Sequence, residues 1–518
     1  MLDSLLRKGY LPQELPPLFN SSSFANYITN NAGSLDAIFT QENAKWSSQM
    51  HHNLARVGGL RRRLSVPNPI NFYRLAKAFD VNSELLETQW NQSPFSQTTP
   101  SLQGIDAKRA IAPRSNNRSY PRTIARVGAK YLLKADISQF YSSIYTHTVP
   151  WAIHSKVIAK ANFRNDLYGN LIDKELQACQ YGQTKGVAIG TDTSLGIAEL
   201  ILADIDKKLN ESCKILDGIR FIDDIELSFS SLADAEHALV QLEKLLHEYE
   251  LQLNVSKTTI ISLPDSIESP YVSELRQLIP PKDNATQNQW VDYFNKAYIL
   301  AKLHPADGVL RYAISALKNI NINQKVWKVA QCLLWQSIAS DPGTIRFIID
   351  VLWLSIENNN ELQLDKEVAQ NSLDSLILSS APVGHSSEIV WGLWAGLLFK
   401  LELSNSSHEA ILEMDDTFVA ITMSVAIINK IFKQKNISPL WKSWLEPGCF
   451  HGAYWMYAYE AYKQGWLPDE VANSGLPDTS YCKSMAESGV SFINLDIISN
   501  YDPNTFENET LIASGSGG

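Results

Sequence analysis

Residues 218–229 read Gly-Ile-Arg-Phe-Ile-Asp-Asp-Ile-Glu-Leu-Ser-Phe, with an apolar run on each side of two adjacent carboxylates. Short apolar runs around a tight polar pair are typical of a β-hairpin, so we expect Asp223 and Asp224 at its tip. Adjacent carboxylates repel each other, and a divalent cation is the usual way to offset that repulsion. The segment therefore predicts a hairpin that presents a metal-binding acid pair.

A third acid ends another apolar run upstream. Residues 131–137 read Tyr-Leu-Leu-Lys-Ala-Asp-Ile, which places Asp136 at the end of a predicted strand. Carboxylates on two neighbouring strand ends are what a two-magnesium phosphoryl-transfer site requires. The main-chain carbonyl of Ile137 is a further candidate oxygen ligand. Tyr141, which follows Phe140, could close the floor of a nucleotide pocket and clash with a 2′-hydroxyl; the alternative is a core aromatic.

Two further segments are informative only together with the acids. Residues 183–194 form a glycine-punctuated loop that leads into a predicted helix, and glycine lets the backbone approach a ligand closely. A helix N-terminus also favours anions. Lys257 could protonate a leaving pyrophosphate or neutralise its charge, and the alternative is an ordinary surface lysine.

Charge is distributed unevenly along the chain. The net charge is −10, which by itself argues against nucleic-acid binding. Between Arg56 and Lys134, however, 14 Lys and Arg residues face only four acids, with aromatic residues interleaved. This basic stripe predicts a local channel for a polyanion. The alternative is that Arg61, Arg62 and Arg63 form a solvated face.

Composition indicates a soluble protein with several domains. The chain has 518 residues, of which 45% are hydrophobic and 19% charged. No apolar run reaches transmembrane length, no signal-peptide pattern opens the chain, and the five cysteines form no metal-binding pair, so we expect a cytoplasmic protein with reduced thiols. Residues 131–265 mix β runs with helices. After Pro264 nearly every segment is amphipathic and helical, which predicts a HEAT-like α-solenoid.

Acid, glycine loop, double acid and lysine follow one another between residues 136 and 257. This order resembles motifs A, B, C and D of the reverse-transcriptase palm, with Phe-Ile-Asp-Asp where many members have Tyr-x-Asp-Asp and Ala188 where many have proline. Residues 140–152, the opening residues 8–17 and residues 253–258 resemble prokaryotic abortive-infection and defence-associated reverse transcriptases. An all-helical C-terminal domain also fits that group.

The resemblance implies an α+β fold with right-hand polymerase fingers and palm, followed by the all-α HEAT-like domain. In chain order, the expected domains are an N-terminal arm and helix (1–55), basic fingers (56–130), the palm (131–265), the helical domain (266–500) and a tail typical of an added linker (514–518).

The resemblance also implies roles for particular residues. Asp136, Ile137 and Asp223 would bind two Mg²⁺ ions, with Mn²⁺ as a substitute, and Asp224 and Lys257 would complete the catalytic set. Tyr141, beside Phe140, would discriminate against ribonucleotides. Residues expected to contact the nascent pair are Gln183, Gly186 and Gly190, and those expected to contact the triphosphate are Arg109, Arg114 and Arg126.

The implied activity is a DNA polymerase that uses dNTPs and acts in anti-phage defence. Its template would be RNA, or it would act without a template, and its DNA product would be free or attached to a protein hydroxyl. Non-coding RNA and a second copy of the chain are further expected partners. No association with a membrane is expected. Two alternatives are a catalytically idle scaffold that binds RNA or partners through its helices, and an intron or retron polymerase. The second predicts appended domains that are not evident after the palm.

Overall fold

The computed structural model describes residues 1–41, 46–102, 109–113, 118–162, 164–467 and 479–503, without the side chains of 32–41 and 113. Arg114 and the tail 514–518 lie outside the described residues. The described strands are β1 Met50–Ala55, β2 Arg61–Val66, β3 Pro100–Leu102, β4 Ile111–Pro113, β5 Tyr131–Asp136, β6 Asp217–Phe221, β7 Asp224–Phe229 and β8 Thr259–Ser262.

The first eleven described helices surround these strands. They are α1 Leu2–Lys8, α2 Ser22–Gln41, α3 Pro69–Val81, α4 Ser83–Trp90, α5 Ser119–Ala125, α6 Phe140–Ser143, α7 Thr148–His154, α8 Lys156–Ala161, α9 Tyr168–Ala178, α10 Asp192–Ser212 and α11 Leu232–Glu248. Local sequence sets several of their ends. Pro69 opens α3, where the Asn68 side chain accepts the Ile70 N–H, and Ser231 caps α11 by accepting the Asp234 N–H.

The later helices fill the C-terminal part. They are α12 Pro270–Leu278, α13 Gln287–Leu303, α14 Val309–Ser315, α15 Gln324–Ser337, α16 Ile345–Asn358, α17 Lys366–Ser380, α18 Ser386–Phe399, α19 Asn405–Ile411, α20 Thr417–Ile428, α21 Pro439–Ser443, α22 Trp455–Lys463 and α23 Ser480–Glu487. The strands and helices before them confirm the expected mixture of helices and β-sheet.

A four-stranded antiparallel sheet in the order β6-β7-β5-β8 positions the candidate site. Side chains alternate between the two faces of a strand. On one face, Leu133 and Ala135 join Ile225 and Leu227 in the hydrophobic core, against which α11 packs. The opposite face is charged, because Asp136 pairs with Asp224 and Lys134 with Glu226 across β5 and β7.

Helix α5 lies over the charged face of the sheet. Ala125 packs with Ile219 and Phe221 of β6 in a small separate cluster, and the Arg122 and Arg126 side chains both form ion pairs with Glu226. The helix therefore covers part of the sheet beside the paired acids, through apolar contacts at one edge and ionic contacts at the other.

The C-terminal helices pack in two interleaved rows. Helix α13 packs on α15, α15 on α17 and α17 on α19, while α14 packs on α16, α16 on α18 and α18 on α20. Contact between each helix and the one two positions later is the arrangement of stacked helix pairs. The HEAT-like assignment itself stays a prediction.

The sequence pattern misleads at one helix. Apolar periodicity over residues 410–431 predicts a single helix with Asp415 and Asp416 solvated on its surface. The structure instead has a break between α19 and α20, where the buried Asp416 caps α20 by accepting the N–H groups of Phe418 and Val419. Only Asp415 is exposed.

The N-terminal region and the C-terminal helices are joined by polar contacts. Trp391 donates to the Glu14 carbonyl (3.0 Å), and His52 of β1 bonds to Asp416 (2.9 Å). Arg61 of β2 forms an ion pair with the buried Glu388. The expected N-terminal arm thus packs on the helical region as well as on the fingers. No helix in the described part of the chain combines the length and apolar character needed to cross a membrane.

Candidate active site

The predicted hairpin is present. Strands β6 and β7 are joined by a loop of two residues, Ile222 and Asp223, and Phe221 pairs with Asp224 at its base. Ile222 has φ of 55°, in the left-handed region. The acid pair therefore lies where the sequence places it, with Asp223 in the turn and Asp224 at the start of β7.

The strand that carries Asp136 lies directly beside this hairpin. Asp136 is the last residue of β5 and is the register partner of Asp224, and only 4% of its surface is exposed. Its Oδ1 accepts a hydrogen bond from Asn254 Nδ2 (2.9 Å) and its Oδ2 lies 3.2 Å from Lys257 Nζ. Three residues predicted from separate segments, Asp136, Asp224 and Lys257, are thus brought together.

Asp223 experiences the combined charge of its neighbours. Burial, followed by repulsion from Asp224 and Asp136, raises the pKa of Asp223 to about 6, while Arg62 acts in the opposite direction. Asp224 lies 2.9 Å from Arg118 Nη1, and the Arg118 guanidinium also stacks over Phe221. Negative charge is therefore concentrated around the hairpin tip.

The Ile137 main chain faces the hairpin tip. The Asn254 N–H donates to the Asp136 carbonyl (2.7 Å), and the Ser138 N–H donates to the Gln252 carbonyl (2.9 Å). In an antiparallel pair, the residue between two such bonds directs its own polar groups to the opposite side. That side of Ile137 is where β7 and the tip lie, as a ligand role for its carbonyl requires.

Tyr141 lies close enough to the hairpin tip to respond to its charge. Burial, and then the Asp223 carboxylate, raise the pKa of the Tyr141 hydroxyl. The ring lies 5.5 Å from that of Phe140, which is buried. The Val187 N–H donates to the Tyr141 carbonyl (3.0 Å), so the glycine loop packs against this turn. The structure therefore places Tyr141 beside the acids, whereas Phe140 points into the core.

The glycine-loop residues have different surroundings. Gly186 has φ of 86° and donates its N–H to the Ile144 carbonyl (2.7 Å), and Gln183 is exposed. Gly190 has φ of 121°, and a Cβ there would lie 2.5 Å from Pro12 Cγ. Gly190 therefore packs against the N-terminal arm, whereas Gln183 lies on the surface of the loop.

The candidate arginines also differ in their surroundings. Arg109 pairs with the buried Asp192 and donates to the carbonyls of Leu11 (3.1 Å) and Gly190 (3.4 Å), so its guanidinium is engaged by the N-terminal arm and α10. Arg126 reaches the charged face, where it contacts Glu226 and the carbonyls of Asp265 and Ser266. Arg114 cannot be placed, since it lies outside the described residues.

Sequence reasoning missed Arg118 and Arg122, which flank the acids. Together with the predicted Arg126 they recur every four residues, which places them on one side of the segment around α5, and this spacing is visible in the sequence. Asn254 binds Asp136, but a lone asparagine beside Lys257 carried no such signal.

An open cavity of about 540 Å³ borders the charged face. Its lining includes Asp136, Asp224 and Lys257 together with Arg122 and Arg126. Asp136 and Asp224 thus open onto a groove whose lining carries both basic and acidic side chains.

The donor set fits a divalent cation in type and in charge. Carboxylate oxygens and a main-chain carbonyl are the ligands that Mg²⁺ prefers, and the raised pKa of Asp223 reflects negative charge for which a cation would compensate. Over the described ranges, however, no three His, Cys, Asp or Glu side chains are arranged as a ready metal cluster. Lys257 and Arg118 instead contact oxygens of Asp136 and Asp224.

Comparison with known proteins assigns this part of the chain. The family model described as "Reverse transcriptase (RNA-dependent DNA polymerase)" matches residues 68–293. No curated protein matches the sequence. Similar solved structures include telomerase from Candida albicans in complex with a TWJ fragment of telomeric RNA (TM-score 0.30, 10% identity, 72% of this chain and 68% of that chain). Another is apo telomerase from Candida tropicalis (TM-score 0.34, 12% identity, 75% of each chain). The match to the reverse transcriptase family model covers residues 68–293, which include the Asp136 strand and the Asp223-Asp224 hairpin.

Proposed function

We propose that the protein is an RNA-directed DNA polymerase that adds dNTPs to a 3′-hydroxyl. The observation that carries the proposal is the pairing of Asp136 with Asp224 across β5 and β7, with Asp223 in the adjoining turn. This arrangement brings three carboxylates from two separate segments together, and two of them, Asp136 and Asp224, line a groove. The match of residues 68–293 to reverse transcriptases supports it.

In this mechanism Asp136, Asp223 and the Ile137 carbonyl would hold the cofactor. Two Mg²⁺ ions, or Mn²⁺ in their place, would supply the Lewis acidity that activates the 3′-hydroxyl and neutralises the triphosphate. Lys257, now 3.2 Å from Asp136 Oδ2, would be released from that contact and donate a proton to the leaving pyrophosphate. Asp224 would support the turn from the start of β7.

Other residues would position the nucleotide. Tyr141, whose hydroxyl responds to the charge of Asp223, would lie under the sugar and exclude a 2′-hydroxyl. Of the two predicted triphosphate ligands that the structure describes, Arg126 is the better placed, because it lines the same cavity as Asp136. Arg109 would first have to leave Asp192. Gln183 and Gly186 would contact the templating or primer strand from the glycine loop.

The direct test is incorporation of labelled dNTPs on a primed RNA template with Mg²⁺. Asp136→Asn and Asp223→Asn should each lower incorporation by at least about a hundredfold, the order expected when a group that stabilises the transition state is removed. Asp415→Asn is the matched control, since Asp415 also belongs to a double acid but is exposed in the helical region. Equal incorporation by wild type and a folded Asp223→Ala variant would overturn the proposal.

Primer and template need a separate experiment. Synthesis without a template, or from a protein hydroxyl, is chemically open to a chain with 20 tyrosines. DNA that remains with the polypeptide after boiling in detergent, and that nuclease releases, would establish protein priming. Free product that depends on added RNA would establish conventional copying. Sequencing of the nucleic acid made by and bound to the purified protein would identify the template.

A second candidate function is an idle scaffold that binds RNA or partners. The ion pairs of Lys257 with Asp136 and of Arg118 with Asp224 favour it, because they neutralise the acids without a metal. The two rows of C-terminal helices, if HEAT-like, would provide the binding surface. Binding of RNA by a protein that incorporates no dNTP would support this function.

The biological setting rests on resemblance to abortive-infection reverse transcriptases. We propose a prokaryotic, cytoplasmic enzyme that acts in anti-phage defence and assembles as a homo-oligomer. Protection of cells from phage by the wild type but not by Asp223→Ala would support the defence role, and light scattering of the purified protein would test the assembly.

A further inference from the structure

Arg220 is completely buried in the first strand of the hairpin that carries Asp223 and Asp224. It lies in β6, two residues before Ile222, and none of its surface is exposed. A buried charge is costly unless it is paired and hydrogen-bonded. A lone arginine in an apolar strand therefore requires partners, and these partners identify what it does.

Two acids of α10 provide the pairing. The Arg220 guanidinium binds both oxygens of Glu199 (2.9 Å each) and also donates from Nε to Asp206 Oδ2 (2.8 Å). Glu199 is fully buried, and Asp206 nearly so. Burial alone would lower the pKa of Arg220, but Asp206 and Glu199 together raise it, so the guanidinium stays charged. The ion pairs fix the guanidinium plane against α10.

The same cluster holds both main-chain polar groups of Ile222. Arg220 Nη1 donates to the Ile222 carbonyl (3.0 Å), and the Ile222 N–H donates to Thr98 Oγ1 (2.9 Å). The Thr98 hydroxyl in turn donates to Glu199 Oε1 (2.7 Å). Ile222 is thus clamped from both sides by groups that are anchored on Glu199.

This clamp acts where the backbone is strained. Ile222 has φ of 55°, and a β-branched residue in the left-handed region is a genuine outlier. Turns with this geometry favour glycine at the first loop position. Strained conformations persist only where the surroundings over-determine them. The hydrogen bonds of the Ile222 main chain with Arg220 and Thr98 hold this conformation, one residue before Asp223.

We propose that Arg220, Glu199 and Thr98 are positioning residues that orient Asp223 by fixing the strained Ile222 peptide. None of them reaches the groove, so they act only through the backbone of the turn. The inference rests on the proposed polymerase activity and adds to it the part of the fold that sets the catalytic geometry. Arg220 would thus couple the helix that follows the glycine loop to the position of the acid.

The test uses Thr98→Val, which removes the hydroxyl at nearly constant volume. Loss of its hydrogen bond should speed amide exchange of the peptide that contains Ile222 by about tenfold. The kcat for dNTP addition should also fall about tenfold with little change in KM, and the Mg²⁺ concentration for half-maximal rate should rise. Thr98→Ser should restore all three quantities, because it keeps the hydroxyl.

The matched control is Thr422→Val. Thr422 is also buried and its hydroxyl also donates a hydrogen bond, in this case to the Phe418 carbonyl (2.7 Å), but it lies in α20. It should destabilise the protein to a similar extent while leaving hairpin exchange and kcat unchanged. Arg220→Lys, which keeps the charge but not the bidentate geometry, should exceed the effect of Thr98→Val.

The outcomes separate the two proposals. Unchanged hairpin exchange and kcat in Thr98→Val would overturn the positioning role, as would equal losses in Thr422→Val. A wild-type protein that incorporates no dNTP would overturn the polymerase proposal instead. In that case faster exchange in Thr98→Val, reversed in Thr98→Ser, would still establish the clamp on the hairpin.

Discussion

At the scale of single residues, the site balances crowded carboxylates against nearby bases. Asp136 is held by Asn254 and Lys257, and Asp224 is held by Arg118. The charge of Asp223 is the least compensated, since its pKa is raised to about 6 by burial and by the other two acids. In the proposed polymerase, the contacts of Asp136 and Asp224 would keep the metal-binding acids in place before the substrate arrives.

Tyr141 gives the residue-scale prediction. In the proposed role its ring, which is buried near Asp223, would exclude a 2′-hydroxyl, so replacement by alanine should admit ribonucleotides. We expect Tyr141→Ala to lower the preference for dNTP over rNTP by about ten- to a hundredfold, the range typical of a steric pocket. Single-nucleotide incorporation with matched dNTP and rNTP would measure it.

Tyr141→Phe serves as the control for this prediction. It removes only the hydroxyl and keeps the ring, so it should retain the preference for dNTP. If Tyr141→Ala discriminates as well as wild type, the ring does not lie at the sugar and Tyr141 has a purely structural role.

The acids were predictable from the sequence, whereas the partners of the arginines were not. Asp136, Asp223 and Asp224 stand out because each interrupts or ends an apolar run, which is a local signal. Arg109 lies in the basic stripe, but its partner Asp192 is distant in sequence, and only the fold reveals that the pair is structural. Spacing along a chain cannot show which acid a base will meet.

At the scale of secondary-structure elements, the same contrast holds. Helices α11 and α13 follow the apolar periodicity closely, because each buries one continuous face. The break before α20 does not, since apolar residues continue through it. The chain turns there because Asp416 satisfies the first N–H groups of α20, which is a capping effect that periodicity does not register.

The two adjacent acids at this break give the element-scale prediction. Asp416→Ala should destabilise the protein by about 2–4 kcal/mol, because it removes a helix cap and a buried hydrogen bond to His52. Asp415→Ala, one residue away and exposed, should cost less than about 1 kcal/mol. Urea unfolding monitored by circular dichroism would measure both, and equal losses would show that the cap is not the cause.

At the scale of the whole molecule, residues 19–23 lie against residues 491–493. Phe19 forms a β-bridge with Ile493, and the Asn20 N–H donates to the Phe492 carbonyl (3.1 Å). Ser23 Oγ donates to the Ser491 carbonyl (2.6 Å). These contacts hold the N-terminal segment against the segment that follows α23.

Glu460 of α22 holds Ser491 and Phe492, the C-terminal residues of this contact, in place. It is fully buried and accepts hydrogen bonds from the Phe492 N–H (2.6 Å), Ser491 Oγ (3.0 Å) and Gln464 Nε2 (3.1 Å). Burial raises its pKa to about 6, although these hydrogen bonds and Lys463 act in the opposite direction. The folded protein thus binds the Glu460 proton more tightly than the unfolded chain does.

The sign of the resulting pH dependence follows directly. An unfolded glutamate has a pKa of about 4.3, so between that pH and about 6 the folded state holds more protons, and stability falls as pH rises. A shift of this size corresponds to about 2 kcal/mol. Glu460→Gln should therefore lose this component, and its Tm should rise relative to wild type as pH increases from 5 to 7. The exposed Glu446→Gln should track wild type. A constant Tm difference between wild type and Glu460→Gln over this range would show that Glu460 is already ionised in the fold, which its burial among so few cations makes unfavourable.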